Sequence, residues 1–198
     1  GNDRYIYQYI SEKYPDDEIK FDISQIKLVT LDIEVASEHG FPDVESCAEE
    51  ILAISIQDYT TKQITTWGSK PFQNNRKDVT YYHCPTEHQL LSSFINYWME
   101  DVPDVITGWN IQLYDIPYIA RRIQRVLGEK LMKRLSPWGL VSEGETFIKG
   151  RRHITFDVGG VCQLDYLDLY KKFTYKAQES YRLDYIASVE LGQKKLDH

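Results

Sequence analysis

Cysteine is scarce: Cys47, Cys84 and Cys162 are the only ones in 198 residues. They are odd in number and widely spaced, with no C-x-x-C pair. That excludes a disulfide framework and points to a reducing compartment. No apolar run approaches the ~20 residues that a spanning helix needs. The start, Gly1-Asn2-Asp3-Arg4, lacks the charged-then-apolar pattern of a secretory signal, and Gly1 with no Met before it suggests a clipped or tag-derived start. Positive charge is short too, the net charge being −7. This argues against a domain that grips duplex DNA unaided, because phosphate neutralisation needs Lys and Arg. Internal repeats and low-complexity tracts are absent. No four-ligand set with finger spacing surrounds His83, Cys84 and His88, so these are expected in the core and on a helix face.

What is present suits a globular chain. The sequence is 42% hydrophobic, 13% aromatic and 27% charged, with 15 tyrosines. Its length fits one domain with a core, or one domain plus a fragment of a neighbour. Residues 1–24 alternate Tyr and Ile with charges and turn at Pro15-Asp16-Asp17, a lead-in from a preceding domain. Residues 25–198 form the domain proper.

Leu28 to Val35 has period two, which predicts a strand with Asp32 and Glu34 on one face. Ile51–Ile56 and Gln63–Trp67 read as a hairpin about Thr60-Thr61-Lys62, and Val79–Tyr82 as a further short strand. Thr86-Glu87-His88-Gln89 has capping-box spacing ahead of Leu90, Leu91, Phe94, Ile95 and Trp98, a helical stripe ending near Val102-Pro103. Val105–Trp109 predicts a short buried strand. Asp115-Ile116-Pro117 opens a helix with Ile116, Ile119, Ile123 and Val126 inward and Gly128 as its stop. Arg121, Arg122 and Arg125 lie off that stripe, on a solvated face. Residues 136–162 look irregular apart from a hairpin tip around Lys149-Gly150-Arg151-Arg152. Leu164–Tyr170 reads as a strand, and Ser180–Leu191 as a helix ended by Gly192. The order predicts a mixed α/β sheet.

Two constellations carry chemistry. Asp32-Ile33-Glu34 places two acids on one face of an apolar, hence central, strand. There they repel each other and lose solvation unless cations compensate. Phosphodiester hydrolysis needs an activated water and a stabilised leaving oxygen, and two divalent metals roughly 4 Å apart supply both. Hard metals such as Mg²⁺ want oxygen ligands, and carboxylates at i and i+2 of a strand provide them. Asp115 is the second feature. At a helix start it is either an N-cap, worth roughly 1 kcal/mol, or a carboxylate facing Asp32 and Glu34.

Together, Asp32-Ile33-Glu34 and Gly108-Trp109-Asn110-x-x-x-x-Asp115-Ile116-Pro117-Tyr118 resemble the first two exonuclease motifs of family B DNA polymerases. Further stretches resemble the T-even-like bacteriophage replicative polymerases. They include Gly40-Phe41-Pro42, Arg134-Leu135-Ser136-Pro137, Leu164 to Phe173 and Ser180 to Ile186, in order along nearly the whole chain. The resemblance implies a ribonuclease-H-like fold: a mixed five-stranded sheet flanked by helices, with an added β-hairpin. It implies proofreading 3′→5′ hydrolysis of single-stranded or mispaired DNA with two Mg²⁺ or Mn²⁺ ions. Asp32, Glu34 and Asp115 match three of four metal-binding carboxylates, and Asn110 matches the motif asparagine. Phe41 matches an aromatic that packs on 3′-terminal bases, or else folds back on the core. Tyr114 is placed to touch the frayed strand, since aromatic stacking tolerates any base.

The third motif of the family, Tyr-x-x-x-Asp, has no match after Tyr170. The expectation is a fold whose C-terminal part is truncated, with weak or absent turnover and a surface open to dimerisation. Asp165 and Asp168, three apart on the predicted strand, face opposite sides and are expected to be structural. Arg151 and Arg152 fall on the hairpin that the resemblance links to primer transfer. Implied partners are a single-stranded DNA 3′ end, the remainder of the polymerase chain and a sliding clamp, with no membrane. The location is the cytoplasm of an infected bacterium. The alternative is a nuclease-like module that holds DNA or protein without catalysis.

Overall fold

The computed structural model describes residues 5–15, 20–37, 40 and 42–192. Helix α1 (Tyr5–Lys13) lies in the expected lead-in and exposes Ile6, Tyr7 and Tyr9. Strand β1 (Leu28–Val35) obeys the period-two pattern: Val29, Leu31 and Ile33 are buried, while Thr30, Asp32 and Glu34 face outward. Strand β2 (Ile51–Asp58) pairs antiparallel with β1, and β3 (Ile64–Gly68) antiparallel with β2. Strand β4 (Val79–His83) then pairs parallel with β3.

Helix α2 (Glu87–Glu100) starts as its sequence predicts, the Thr86 hydroxyl accepting the Gln89 N–H at 3.3 Å. Its stripe of Leu90, Leu91, Phe94, Ile95 and Trp98 is buried. Strand β5 (Val105–Gly108) lies parallel to β1. Helix α3 (Asp115–Leu127) buries Ile116, Ile119 and Ile123 and stops at Gly128, whose φ of 94° suits glycine. A single turn, α4 (Glu129–Met132), follows. Strands β6 (Val141–Ile148) and β7 (Arg151–Val158) form a separate hairpin, longer and more regular than expected. Its two turn residues, Lys149 and Gly150, both have positive φ, the twist that two-residue hairpin turns require. Strand β8 (Cys162–Asp165) pairs parallel with β5, ahead of α5 (Tyr166–Phe173) and α6 (Leu183–Leu191).

The main sheet has the order β4-β3-β2-β1-β5-β8, and β2 alone runs against its neighbours. The run β3-β2-β1-β5-β8 is the ribonuclease-H-like set of five. The sheet has six strands because Val79–His83 adds a parallel outer edge. Leu31, Phe94, Ile106 and Ile119 share one core, so α2 and α3 cover the apolar face of β1. Each such side chain contributes ~1.5–3 kcal/mol of burial. The acids of β1 occupy the other face.

Two expectations fail. Leu164–Tyr170 is not one strand: the ladder ends at Asp165, whose carboxylate caps α5 by accepting the Leu167 N–H at 2.9 Å. Asp165 and Asp168 are therefore not on opposite faces of a strand. Nor do the α3 arginines all lie on a solvated face: Arg125 is exposed, but Arg121 is half-buried and Arg122 is inside. Arg122 is 5% exposed and pairs with buried Glu87, because a guanidinium inside the fold needs a carboxylate and carbonyls to replace water.

Candidate functional site: carboxylates at the end of the central strands

Asp32 and Glu34 project from the outward face of β1, opposite Ser55 and Ala53 of β2. On the other side, the ladder between β1 and β5 ends at Thr30 and Thr107. Beyond it the carboxylate of Asp115 takes the place of a strand partner: its Oδ1 accepts the N–H of Ile33, the residue between the two acids, at 3.1 Å. Asp115 is the first residue of α3, and Tyr114 before it makes no side-chain cap. The carboxylate thus reaches across to β1 instead of capping its own helix.

This approach is close. A Cβ on Gly108 would lie 2.6 Å from the carbonyl oxygen of Leu31 and against the side chain of Ile111. Only glycine lets the end of β5 come so near β1. The next residues turn sharply, with Asn110 at a φ of 65°, a left-handed conformation that Asn tolerates better than most. The Asn110 carbonyl then accepts the N–H groups of Leu113 and Tyr114, at 3.2 and 3.1 Å.

Electrostatics single out Asp115, which is 4% exposed. Burial, followed by the Asp32 carboxylate beside it, pushes its carboxyl up to about 7, against the stabilising N–H of Ile33. Burial, then the charges of Asp115 and Glu34 among others, raises the Tyr114 phenol to about 12, so it stays protonated at neutral pH. Asp32 therefore lies beside Asp115, and Glu34 near Tyr114. Among the described residues, no group of three or more His, Cys, Asp or Glu side chains is arranged to hold a metal ion.

Asn110 and Tyr114 line an open cleft of about 540 Å³, together with Glu45, Arg152 and His153. Its walls are the loop between β1 and β2 and the β6–β7 hairpin. Arg152 ties them, donating to Glu45 at 2.8 Å and to Glu145 at 2.6 Å. Phe41, expected in the same loop, lies outside the described residues.

Sequence reasoning missed two sets of residues. The first holds the β1–β2 loop to α3. Arg122 forks onto Glu87 and donates to the carbonyls of Cys47 and Ala48, at 3.0 and 3.1 Å. Arg125 donates to the carbonyls of Cys47 and Ser46, and Arg121 to those of Val44 and Glu45. Glu87 accepts the Ile51 N–H as well, at 2.8 Å. No spacing rule announces such contacts across distant sequence. The second is Asp165, for which the legible signal is an N-cap Asp followed by an acid, Asp168, in the first helical turn.

An outward-facing acid pair on a central strand and a third carboxylate at the adjoining helix start, on this strand order, define the class: a ribonuclease-H-like exonuclease domain. The chain belongs to the exonuclease domain of DNA polymerase family B, whose family model matches residues 5–186. It is 33% identical to a DNA-directed DNA polymerase of Escherichia phage RB69 over all of this chain and 25% of that protein. The same identity relates it to a DNA-directed DNA polymerase of Enterobacteria phage T4, over 96% of this chain and 24% of that one. A DNA polymerase catalytic subunit of human herpesvirus 6B is 27% identical over 84% of this chain and 17% of its own length. The chain thus spans about a quarter of the length of its phage relatives. No helix among the described residues is long and apolar enough to cross a membrane.

Proposed function

We propose that this domain is the proofreading 3′→5′ exonuclease of a replicative DNA polymerase, hydrolysing the terminal phosphodiester of single-stranded or mispaired DNA. The observation that carries this reading is the Asp115 carboxylate on the Ile33 N–H, beside Asp32, in a setting that resists its ionisation.

In its chemistry, though not as a ready three-ligand arrangement among the described residues, the donor set fits a hard divalent cation. It is all oxygen, and the Asp115–Asp32 pair ionises fully at neutral pH only when positive charge is supplied. Asp32, Glu34 and Asp115 would hold Mg²⁺ or Mn²⁺. Two such ions, when bound, lower the pKa of a water and stabilise charge on the departing oxygen. The chain's own residues do the rest. The Ile33 N–H holds Asp115 in place, and Tyr114 and Asn110 border the path of the strand. The protonated Tyr114 phenol can donate a hydrogen bond there. Phe41 is proposed to stack on the terminal base.

Residues 25–198 are taken as the exonuclease unit and 1–24 as its lead-in. Within these 198 residues no Tyr-x-x-x-Asp follows Tyr170 to provide a fourth carboxylate. Assayed alone, the chain is expected to bind metal weakly and turn over slowly. The whole protein is proposed to work in the cytoplasm of an infected bacterium, with DNA, the rest of its polymerase chain and a sliding clamp as partners. The chain by itself is open to dimerisation.

A second reading, a DNA-binding module without catalysis, draws on the lack of a ready three-ligand group among the described residues. Mn²⁺ titration followed by a nuclease assay on a 5′-labelled single strand separates the two. The first reading expects metal binding and metal-dependent shortening from the 3′ end, both lost in Asp32→Ala and Asp115→Ala. DNA binding with no metal uptake would instead establish the module.

A further inference from the structure

The structure assigns Asp165 as a positioning residue: its carboxylate holds the N–H groups of Asn110 and Gln112 and so sets the loop that delivers Tyr114 and Asp115 to β1. The inference rests on the exonuclease reading of that site.

Asp165 ends β8 as the register partner of Gly108, the last residue of β5. It is 6% exposed. One oxygen accepts the N–H of Asn110 at 3.0 Å and of Leu167 at 2.9 Å, and the other accepts the N–H of Gln112 at 3.1 Å. A cap of α5 requires only the Leu167 contact. The other two go to the loop between β5 and α3, which has no strand to satisfy its backbone. More contacts join the same two segments: the Thr107 hydroxyl donates to the Leu164 carbonyl at 2.7 Å, and the Gln112 amide to that of Gln163 at 3.0 Å. The loop is therefore stitched to β8 immediately before α3 begins. The left-handed turn at Asn110 fits this grip, because its N–H must point back at Asp165 while its carbonyl receives Leu113 and Tyr114. Asp165 touches neither Asp32 nor Glu34 in any of these contacts; its charge is the least of the influences raising the Asp115 carboxyl, so its main grip on the site is through the loop.

Asp165→Asn is the informative variant. Its amide oxygen can keep the Asn110 and Leu167 contacts, but its NH₂ faces the Gln112 N–H, a donor against a donor. The cap of α5 survives while the loop is loosened three residues before Asp115. Expected results are a far-UV spectrum like that of the parent and Mn²⁺ affinity, measured by electron paramagnetic resonance, weakened about tenfold. In the nuclease assay kcat falls and KM for the DNA strand stays within about twofold. Hydrogen exchange on the parent chain is the measurement that needs no variant: the amides of Asn110 and Gln112 should be protected at least a hundredfold over a free chain. Unprotected amides would overturn the assignment even if Asp165→Asn failed to fold. So would a folded Asp165→Asn with parental Mn²⁺ affinity, and there the exonuclease reading would stand. A parent chain that takes up no Mn²⁺ would sink both.

Discussion

Among the described residues three carboxylates are buried, Glu87, Asp165 and Asp115, and they are satisfied differently. Glu87 has a buried cation: the Arg122 guanidinium forks onto it, and Ile51 adds an N–H. Asp165 has no cation but accepts three backbone N–H groups. Asp115 accepts one from Ile33, with its own backbone N–H beside it, and has a second acid next to it that outweighs either. A buried carboxylate needs either a partner charge or several donors. Glu87 and Asp165 meet that requirement within the fold, and Asp115 does not. That difference, more than the tripeptide around Asp32, separates acids that build the fold from one poised to act.

The largest effect expected from this contrast is on catalysis. Asp115→Asn keeps the shape and the Ile33 contact but removes the charge a metal would need. Removing one essential group of a concerted site commonly costs at least ~10³-fold in kcat. Nuclease turnover of Asp115→Asn should fall at least that far and Mn²⁺ uptake should weaken, with the fold intact. Parental turnover in this variant would place Asp115 with the structural acids and erase the distinction.

Glu87→Ala should act in the opposite way, on stability. It strands the Arg122 guanidinium and the Ile51 N–H inside the fold, a loss of ~3–5 kcal/mol for a broken buried pair. Thermal or urea unfolding measures it. A change below about 1 kcal/mol would mean that water reaches Arg122 and that the loop between β1 and β2 is held by other means.

The third effect depends on pH. The Asp115 carboxyl, ordinarily near 3.8, sits at about 7 in the fold. Between those values the folded, metal-free chain keeps a proton that the unfolded chain has released. The contribution to stability is full below pH 4 and is lost as pH rises through about 7. The whole span is worth on the order of 4 kcal/mol. Urea melts in EDTA should show stability falling from this source over that window. Asp115→Asn should flatten the fall, and Mn²⁺ should restore stability at pH 8. An identical pH slope in parent and variant would show that Asp115 is not the group responsible.

How far the sequence foretold this contrast depends on the range of each signal. The acids of β1 were legible because strand alternation is local and its flanks are apolar. Asp115 was legible as a helix start through Asp-Ile-Pro, and the motif resemblance supplied its partner acids. The Glu87–Arg122 pair was not, because it joins the first turn of α2 to the middle of α3, and polar residues off an apolar stripe ordinarily face water. Asp165 was misplaced for a different reason. The apolar-rich run of Leu164, Tyr166, Leu167, Leu169 and Tyr170 imitates a strand, while the helix-start signal of Asp165 inside it carries less weight than the run it interrupts. The sequence shows the sixth strand as a segment, but its pairing to the outer edge of β3 depends on tertiary register.

The smallest effect concerns the backbone that brings Asp115 within reach. Gly108 has ordinary φ, so its glycine character is demanded by space and not by conformation: a Cβ there would meet the Leu31 carbonyl at 2.6 Å. That carbonyl belongs to the strand carrying Asp32 and cannot rotate away as a side chain would. Gly108→Ala must move the end of β5 outward, at a cost of ~1–3 kcal/mol for overpacking. Because Gly108 is the register partner of Asp165, the shift also stretches the contacts to Asn110 and Gln112. Two consequences should appear together: a modest fall in unfolding midpoint and a several-fold loss of Mn²⁺ affinity. Lost stability with unchanged affinity would show that Asp115 holds to Ile33 without help from the strand end. The close packing of β5 on β1 would then belong to the fold alone, alongside Glu87, and not to the site.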